Sequence, residues 1–290
     1  MGRGDLTHAE SARLKPDLPK SGQRGGRWAG HRRVIDGILY RLRTGVPWRD
    51  PAARFGPWKT VYERHRRSSA DGTWDRIFAA VLADADAEDR IDWSMVSVDS
   101  TSCRSHQHAA GARRKPPRVP GKDARPGSTA PDEGPGRSRG GLTCKIHLAG
   151  EGGRRPLALL ITPGQWGDAP QLIPVMGRIR VARLGGGHPR TRPDHLDGDK
   201  AYSSRRYLRW RQIKHTTPEP KNQRANRQRR GNKGGRPAGF DKTTYRRRSE
   251  VERTINALKK SRAVATRFDK RGYIFHGTVT VASIRLWLRP

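Results

Sequence analysis

Several kinds of protein are excluded by what this sequence has little of. Its 290 residues include only 2 cysteines, Cys103 and Cys144, which is too few for a disulfide framework or a four-cysteine zinc site. We therefore expect a structural or incidental role for both, in a reducing compartment. No apolar run approaches the roughly 20 residues needed to span a bilayer, and none follows a basic start as in a signal peptide. The sequence predicts a soluble cytoplasmic protein.

Acidic residues are also scarce relative to basic ones. Lys and Arg total 61 against 27 Asp and Glu, which gives a formal net charge of +34. A field of that sign concentrates polyanions around the protein, so nucleic acid is the expected partner. The basic residues are spread through segments that also carry periodically spaced apolar residues, and this pattern argues against a disordered polycation.

The first 90 residues divide into a lead-in and a helical region. Residues 1–30 show little periodicity and are expected to be loosely ordered, although Leu6 to Leu18 could form a short helix. Residues 31–90 carry apolar side chains at helical spacing in three stretches, over 33–43, from Pro57 and from Thr73. Three short helices with basic faces suit a helix-turn-helix-like domain that binds the DNA major groove. The alternative is a packing domain with a solvated basic surface. The arginines concerned are Arg32, Arg33, Arg41, Arg43, Arg64, Arg66 and Arg67.

Residues 91–290 mix strand and helix patterns. A strand is predicted to end at Asp99, residues 142–148 and 156–162 form a predicted hairpin, and a short strand over 195–202 carries Asp197 and Asp199. Helices over 243–262 and 273–288 close the chain. The pattern predicts an α/β fold, a mixed sheet flanked by helices.

Two basic segments without periodicity, 103–140 and 221–240, are predicted to be loops of this domain that contact DNA phosphates. The second has no acidic residue between positions 221 and 236. Its cations are Lys221, Arg224, Arg227, Arg229, Arg230, Lys233 and Arg236.

The predicted helix over 243–262 places a carboxylate at the edge of the core. At roughly 100° per residue, Arg248, Glu252 and Lys259 fall within about 60° of Tyr245, beside an apolar flank. An unpaired carboxylate there is costly, so Glu252 needs a cation. The residues alone leave two hypotheses open, a surface ion pair with Arg248 and a bound metal ion.

The spacing of Tyr245, Arg248, Glu252 and Lys259 resembles the Tyr-Arg-Glu-Lys signature of bacterial insertion-sequence transposases of the DDE type, in the insertion sequence four and five branch. Asp99-Ser100-Thr101 with the following Arg104 and the His-rich residues 106–113 resemble another motif of this family. Asp-Lys-Ala-Tyr at 199–202 is similar to its second acidic motif. Residues 43–50 and 55–58 resemble its leading helical domain, so the resemblance covers about 32–288.

The resemblance implies an RNase H-like fold in which Asp99, Asp199 and Glu252 are the catalytic metal ligands. Asp197 is the alternative to Asp199. Three carboxylates suit Mg²⁺, with Mn²⁺ as a substitute, and two such ions could activate the attacking oxygen and stabilise the leaving one. Tyr245, Arg248, Lys259 and Arg104 are then expected to contact DNA.

The function implied is a DNA transposase. It would bind the terminal inverted repeats of its element, cut them, and join them to target DNA, as a homo-oligomer on DNA and associated with the nucleoid, without a membrane. One alternative is a catalytically inactive transposase remnant that binds element ends and represses. A second alternative, an RNase H-like nuclease that cuts without joining, fits the Tyr-Arg-Glu-Lys spacing less well.

Overall fold

A computed structural model describes residues 2, 4–20, 28–112, 135–202, 205–237 and 240–289. Residues 113–134, most of the first predicted basic loop, lie outside this range. The helices are α1 (His8–Leu14), α2 (His31–Thr44), α3 (Trp58–Ala70), α4 (Thr73–Ala87), α5 (Gln107–Ala110), α6 (Leu172–Gly177), α7 (Arg205–Trp210), α8 (Lys221–Arg229), α9 (Lys242–Arg246), α10 (Ser249–Lys259), α11 (Arg262–Ala265) and α12 (Gly272–Leu288). The strands are β1 (Val96–Ser105), β2 (Gly136–Ser138), β3 (Gly141–Glu151), β4 (Pro156–Pro163), β5 (His195–Gly198), β6 (Lys214–Thr216) and β7 (Thr266–Arg267).

The strands form one mixed sheet whose main order is β4-β3-β1-β5-β6. Strand β3 pairs antiparallel with both β4 and β1, while β5 and β6 run parallel to β1. Short β2 and β7 pair with the ends of β3 and β1. An antiparallel meander followed by two parallel strands on the far side of β1 is the RNase H-like arrangement, which confirms the predicted fold class.

Strand β1 is longer than its sequence pattern predicted, so Asp99 lies inside the strand and not at its end. Antiparallel β3 pairs with β1 from Val96 to Arg104, and this continuous ladder overrides the turn tendency of Asp99-Ser100-Thr101. Parallel β5 pairs only as far as Val98. Asp99 therefore lies at the level where β5 stops, and Asp199 follows β5 directly. Farther along β1, buried Cys103 faces Cys144, and both are free thiols.

The N-terminal helices share their core with the C-terminal helix α12. Helix α12 is buried on nearly all sides and packs on α3, α4 and β4. Its Trp287 donates a hydrogen bond from Nε1 to the carbonyl of Pro156 (2.7 Å). The helical region predicted over 31–90 is present, but α12 completes its core.

Two arginines predicted on the basic faces of this bundle are buried. Arg41 is 1% exposed and pairs with Asp269 at 3.2 Å, 228 residues away in sequence. Arg64 is 8% exposed and donates to His31 Nδ1 at 2.8 Å. Helical periodicity could not separate these side chains from exposed Arg66 and Arg67, because their partners come from other elements.

The lead-in is ordered over residues 6–18, contrary to the expectation of a loose segment. Thr7 and Glu10 form a reciprocal capping box at the start of α1. The backbone amide of Leu6 donates to Asp36 at 2.7 Å, and Glu10 pairs with Arg285 of α12 at 2.6 Å. The short helix noted as an alternative is the observed structure.

The basic segment after residue 220 begins with a helix and not with a loop. Lys, Arg, Gln and Ala favour helix formation even without an apolar face, and Pro220 precedes the first turn of α8. Arg227 anchors the helix by pairing with Glu219 at 3.1 Å. The expected cations are otherwise exposed along α8 and the residues that follow.

The helix predicted over 243–262 is interrupted. Asp241 caps α9 by accepting from the amides of Thr243 and Thr244, and residues 247–248 form a turn before α10. Arg247 in this turn pairs with Asp92 at 2.8 Å and Glu250 at 3.1 Å. Tyr245 and Glu252 therefore belong to two helices. No helix in the described ranges is long and apolar enough to cross a membrane.

Candidate active site

Asp99 is the half-buried member of the acidic group that lies on β1. Its carboxylate accepts a hydrogen bond from the Ser100 amide at 2.7 Å. Burial raises the pKa of Asp99 above its usual value, and the nearby carboxylates of Glu252 and Asp199 raise it further, whereas the Ser100 amide and the Arg248 guanidinium oppose the rise. Glu252 of α10 and Asp199 after β5 therefore lie near enough to Asp99 of β1 for their charges to contribute to its raised pKa.

Asp199 and Glu252 are partly exposed, as Asp99 is. Asp199 accepts from the Lys200 amide at 2.7 Å, in the turn that follows β5. Glu252 accepts from Arg248, one helical turn earlier, at 2.6 Å, and its side chain is 46% exposed. The ion pair that the sequence left open is therefore present. Because it is solvent-exposed it stabilises the fold little, and Glu252 remains available to another cation.

Asp197 lies one step deeper on the same sheet face. In the parallel register Asp197 pairs with Ser97, which is two residues before Asp99. The side chains of Asp197, Ser97 and Asp99 therefore project from the same face of the sheet. Asp197 is fully buried, and neither oxygen has a hydrogen-bond partner of normal geometry in the described residues. Burial raises its pKa to about 7, opposed by the Gly198 amide and Arg248. Asp197 is a desolvated group, unlike Asp199 at the surface.

The remaining residues carried over from the family pattern occupy different positions around the acidic group. Arg248 lies over the ring of Tyr245 at 5.7 Å. Lys259 donates to the carbonyl of Ser102 at 3.3 Å, beside β1. Arg104 is exposed on β1, and strand alternation directs it to the face opposite Asp99. The structure groups Tyr245 and Arg248 with the carboxylates and places Arg104 apart from them.

A cluster around Asp168 was missed by the sequence interpretation. Asp168 accepts from Ser100 Oγ at 3.0 Å and from Lys145 Nζ at 2.9 Å. Buried His147 lies 3.8 Å from Asp168, and its Nδ1 is 3.5 Å from the hydroxyl of Tyr202. Asp168 thus contacts Ser100, the residue after Asp99, and is linked through His147 to Tyr202, three residues after Asp199. Only contacts between distant strands reveal this cluster, since Asp168 belongs to no periodic pattern or motif.

Burial controls the protonation of this cluster. It lowers the pKa of His147 to about 4, with the Asp168 carboxylate opposing and the Lys145 ammonium reinforcing the shift. It also raises the pKa of the Tyr202 hydroxyl. At neutral pH the imidazole is therefore uncharged, and the hydrogen bond of 2.8 Å between His147 Nε2 and Thr162 Oγ1 fixes its position.

The three candidate ligands, Asp99, Asp199 and Glu252, have the chemistry to bind a hard divalent cation, but their side chains are not spaced as a formed metal site. All three candidate ligands offer carboxylate oxygens, which Mg²⁺ prefers. The pKa of Asp99 is raised first by burial and then by the neighbouring carboxylates, and a cation would offset both effects. No group of three or more His, Cys, Asp or Glu within the described ranges is spaced to hold a metal ion. The Arg248 guanidinium occupies one oxygen of Glu252.

The acidic side chains thus lie beside β1 of an RNase H-like sheet. The chain belongs to the DDE transposases: the family described as transposase DDE domain matches residues 91–276. Residues 6–78 match a second family, described as putative transposase of IS4/5 family. The resemblance inferred from the motifs is confirmed, and the protein is a DNA transposase of the insertion-sequence type.

Two relatives match part of this chain. An uncharacterized protein, y4sN, of Sinorhizobium fredii (strain NBRC 101917 / NGR234) is 41% identical over 93 residues, which are 32% of this chain and 69% of that protein. The insertion element IS402 uncharacterized 16.2 kDa protein of Burkholderia cepacia is 37% identical over 122 residues, which are 40% of this chain and 80% of that protein. The second is by its name a product of an insertion element.

Solved structures show only a distant likeness. The Mos1 transposase paired-end complex with left transposon end has a TM-score of 0.24 at 9% identity, over 84% of this chain and 82% of that chain. A pre-cleavage Mos1 transpososome gives the same TM-score and identity, over 93% of this chain and 81% of that chain.

Proposed function

We propose that this transposase cuts and joins the ends of its element by divalent-metal-dependent phosphoryl transfer at Asp99, Asp199 and Glu252. The observation that carries the proposal is that Asp99 is half-buried on β1 and that Asp199 and Glu252 lie near enough for their charges to add to the rise that burial causes in its pKa. Like charges held together at a partly buried position are costly unless a cation neutralises them. A structural role alone gives no reason for this grouping.

In this mechanism the three carboxylates would hold Mg²⁺ or Mn²⁺. Two bound ions would activate the attacking oxygen, from water in cleavage and from a DNA 3′-hydroxyl in joining, and would stabilise the leaving oxygen. Arg248 orients Glu252 through their 2.6 Å contact and brings positive charge toward Asp99. Lys259, held at the Ser102 carbonyl beside β1, can neutralise a phosphate of the bound strand.

The bundle of α2, α3 and α4 is proposed to bind the terminal inverted repeats. Helix α3 exposes Lys59, Arg66 and Arg67, and a two-residue turn at 71–72 leads to buried α4. Arg32 and Arg33 add charge at the start of α2. We further propose that the chain acts as a homo-oligomer on DNA and associates with the nucleoid in the cytoplasm.

The experiment is a strand-transfer assay on DNA carrying the ends of the element. Asp99→Asn, Asp199→Asn and Glu252→Gln should each abolish Mg²⁺-dependent cleavage and joining, by at least about 100-fold, because each removes a charged ligand while preserving shape. Repeat binding should stay within about threefold. The matched control is Asp89→Asn, an exposed acidic residue at φ 52° where Asn is well tolerated.

Two outcomes would count against this proposal. An active Glu252→Gln enzyme would remove Glu252 from the metal site. A wild-type chain that binds repeats but never cleaves them, with any divalent metal, would instead support the alternative of an inactive DNA-binding remnant.

A further inference from the structure

A second basic surface lies at the opposite end of the parallel strands. The segment that connects α6 to β5 contains a bridge between Val181 and Arg190 and is exposed from residue 182 to 188. Its tip is glycine-rich, and Gly186 and Gly187 adopt positive φ with open space around them. A cleft of about 590 Å³ opens beside it. The cleft is lined by Arg183, His188, Pro189, Arg190, Thr191, Arg192 and Asp194.

The arginines that line or support this cleft form hydrogen bonds mainly with neutral groups, so their positive charge is not neutralised. Arg211 donates to the carbonyl of Thr191 at 3.0 Å, and Arg192 donates to Gln212 Oε1 at 3.2 Å. Arg190 stacks on Trp93 at 4.5 Å and lies 3.5 Å from Asp194. Asp194 is the one acidic residue that lines the cleft.

Trp210 extends this surface with an exposed aromatic ring. Its side chain is 75% exposed, the largest such value among the large apolar residues of the described ranges. It lies between Arg209 and Arg211 in sequence, and Arg211 ties this segment to the cleft wall. An indole in water, flanked in sequence by two arginines, has the chemistry of a stacking platform for nucleic acid bases.

The position of this surface separates it from the carboxylates. Parallel β1, β5 and β6 all begin at this edge, and the Asp194 amide donates to the Trp93 carbonyl just before β1 and β5 start. Asp194 and Asp199 are separated by five residues along β5, which corresponds to about 16 Å. A DNA strand bound to this surface would therefore not contact the carboxylates of Asp99, Asp199 and Glu252.

We propose that the distal basic surface, formed by Arg183, His188, Arg192, Arg209, Arg211 and Trp210, binds an unpaired strand of DNA. The cationic cleft would hold backbone phosphates and Trp210 would stack on a base. Duplex DNA is the weaker candidate, because its bases are stacked on each other and offer no face to Trp210. The inference rests on the DNA transposase family and is independent of the metal ligands.

The test measures binding of the full-length protein to a fluorescent 20-nucleotide single strand and to the matching duplex, without divalent metal. Trp210→Ala should weaken single-strand binding about 5- to 20-fold, because one base stack is lost, and should leave duplex binding within twofold. Trp210→Phe should recover most of the affinity. Arg183→Ala with Arg192→Ala should also reduce the salt slope for the single strand by about 1.4.

The control variants remove the same groups elsewhere. Trp166→Ala removes another exposed tryptophan, and Arg139→Ala with Lys260→Ala removes two exposed cations from other surfaces. Neither should change the preference between single strand and duplex. Equal losses for both DNA forms, unchanged single-strand binding by Trp210→Ala, or a change only in subunit number would overturn the proposal. Retained duplex binding shows that the variants are folded, and strand-transfer activity tests the carboxylates separately.

Discussion

Asp197 and Asp199 are two residues apart, yet they occupy different environments. Asp199 lies beyond the end of β5 and is partly exposed, whereas Asp197 is inside the strand and fully buried. Burial raises the pKa of Asp197 to about 7, so its charged form is unfavourable in the folded protein. This difference supports Asp199 as the metal ligand and Asp197 as a buried neighbour.

Asp197→Asn should therefore stabilise the metal-free protein at pH 8. The variant removes a desolvated charge, although the buried amide still needs partners, so we expect the free energy of unfolding to rise by about 1 to 2 kcal/mol. Denaturant unfolding followed by tryptophan fluorescence measures the change. Cleavage activity should remain within about threefold of wild type. Activity as low as that of Asp199→Asn would show instead that Asp197 is the required ligand.

Individual residues also show what the sequence could and could not predict. Asp99, Asp199 and Glu252 could be selected because short motifs carry them, and in the structure Asp199 and Glu252 lie near enough to affect the pKa of Asp99. Asp168 and its contacts with Ser100 and Lys145 depend on strands that meet only in the fold. The pairing of Arg41 with Asp269 spans 228 residues, which no local periodicity reports.

At the scale of elements, the basic segment predicted to be a loop begins with helix α8, which presents its cations on a helical surface. Composition located the charge correctly, but helix propensity decided the conformation, since the segment has no apolar face to predict a helix from. The interruption of the helix at 247–248 could not be predicted either, because Arg247 pairs with Asp92, which is far away in sequence, as well as with Glu250.

The cations of α8 and the following turn should bind DNA without regard to sequence. Replacing Lys221, Arg224 and Lys233 together by Ala should weaken repeat and scrambled duplexes equally. It should also reduce the slope of log affinity against log salt by roughly 2 to 3, because each phosphate contact contributes about 0.9. Fluorescence anisotropy across a salt series measures both effects.

Arg227→Ala is the internal comparison for that triple variant. Arg227 is already paired with Glu219 at 3.1 Å, so its loss should change the salt slope less than the loss of an unpaired cation. A triple variant that loses affinity only for the repeats would mean that α8 recognises sequence.

On the scale of the whole molecule, His65 joins the N-terminal bundle to the C-terminal helix. His65 of α3 is fully buried, and its Nε2 lies 3.1 Å from Thr278 Oγ1 of α12. Its ring packs between Trp48 and Trp74, with centroid distances of 5.2 and 6.1 Å. Burial lowers its pKa from 6.5 to about 4, although the Asp269 carboxylate opposes the shift.

The folded protein should therefore lose stability in mild acid. Because the folded pKa is depressed, the contribution of neutral His65 is complete above about pH 6.5 and is lost as pH falls toward 4. Between pH 7.5 and 5 we expect a loss of about 2 kcal/mol from this group. His65→Gln should remove that part of the pH dependence, while His8→Gln, at an exposed position, should leave it intact. An unchanged pH dependence in His65→Gln would contradict the assignment.

The dependence of the bundle on α12 also bears on how the protein is made. Helices α2, α3 and α4 leave the ribosome early, whereas α12, which fills the space between α3, α4 and β4, is translated only after the whole sheet. Until residues 272–288 emerge, the apolar faces of α3 and α4 have no permanent neighbour and are open to chaperones or to misassembly. Products of premature termination or frameshift before this helix should lack stable end binding as well as catalysis. Competence to bind element ends would then arise only after residues 272–288 have been made.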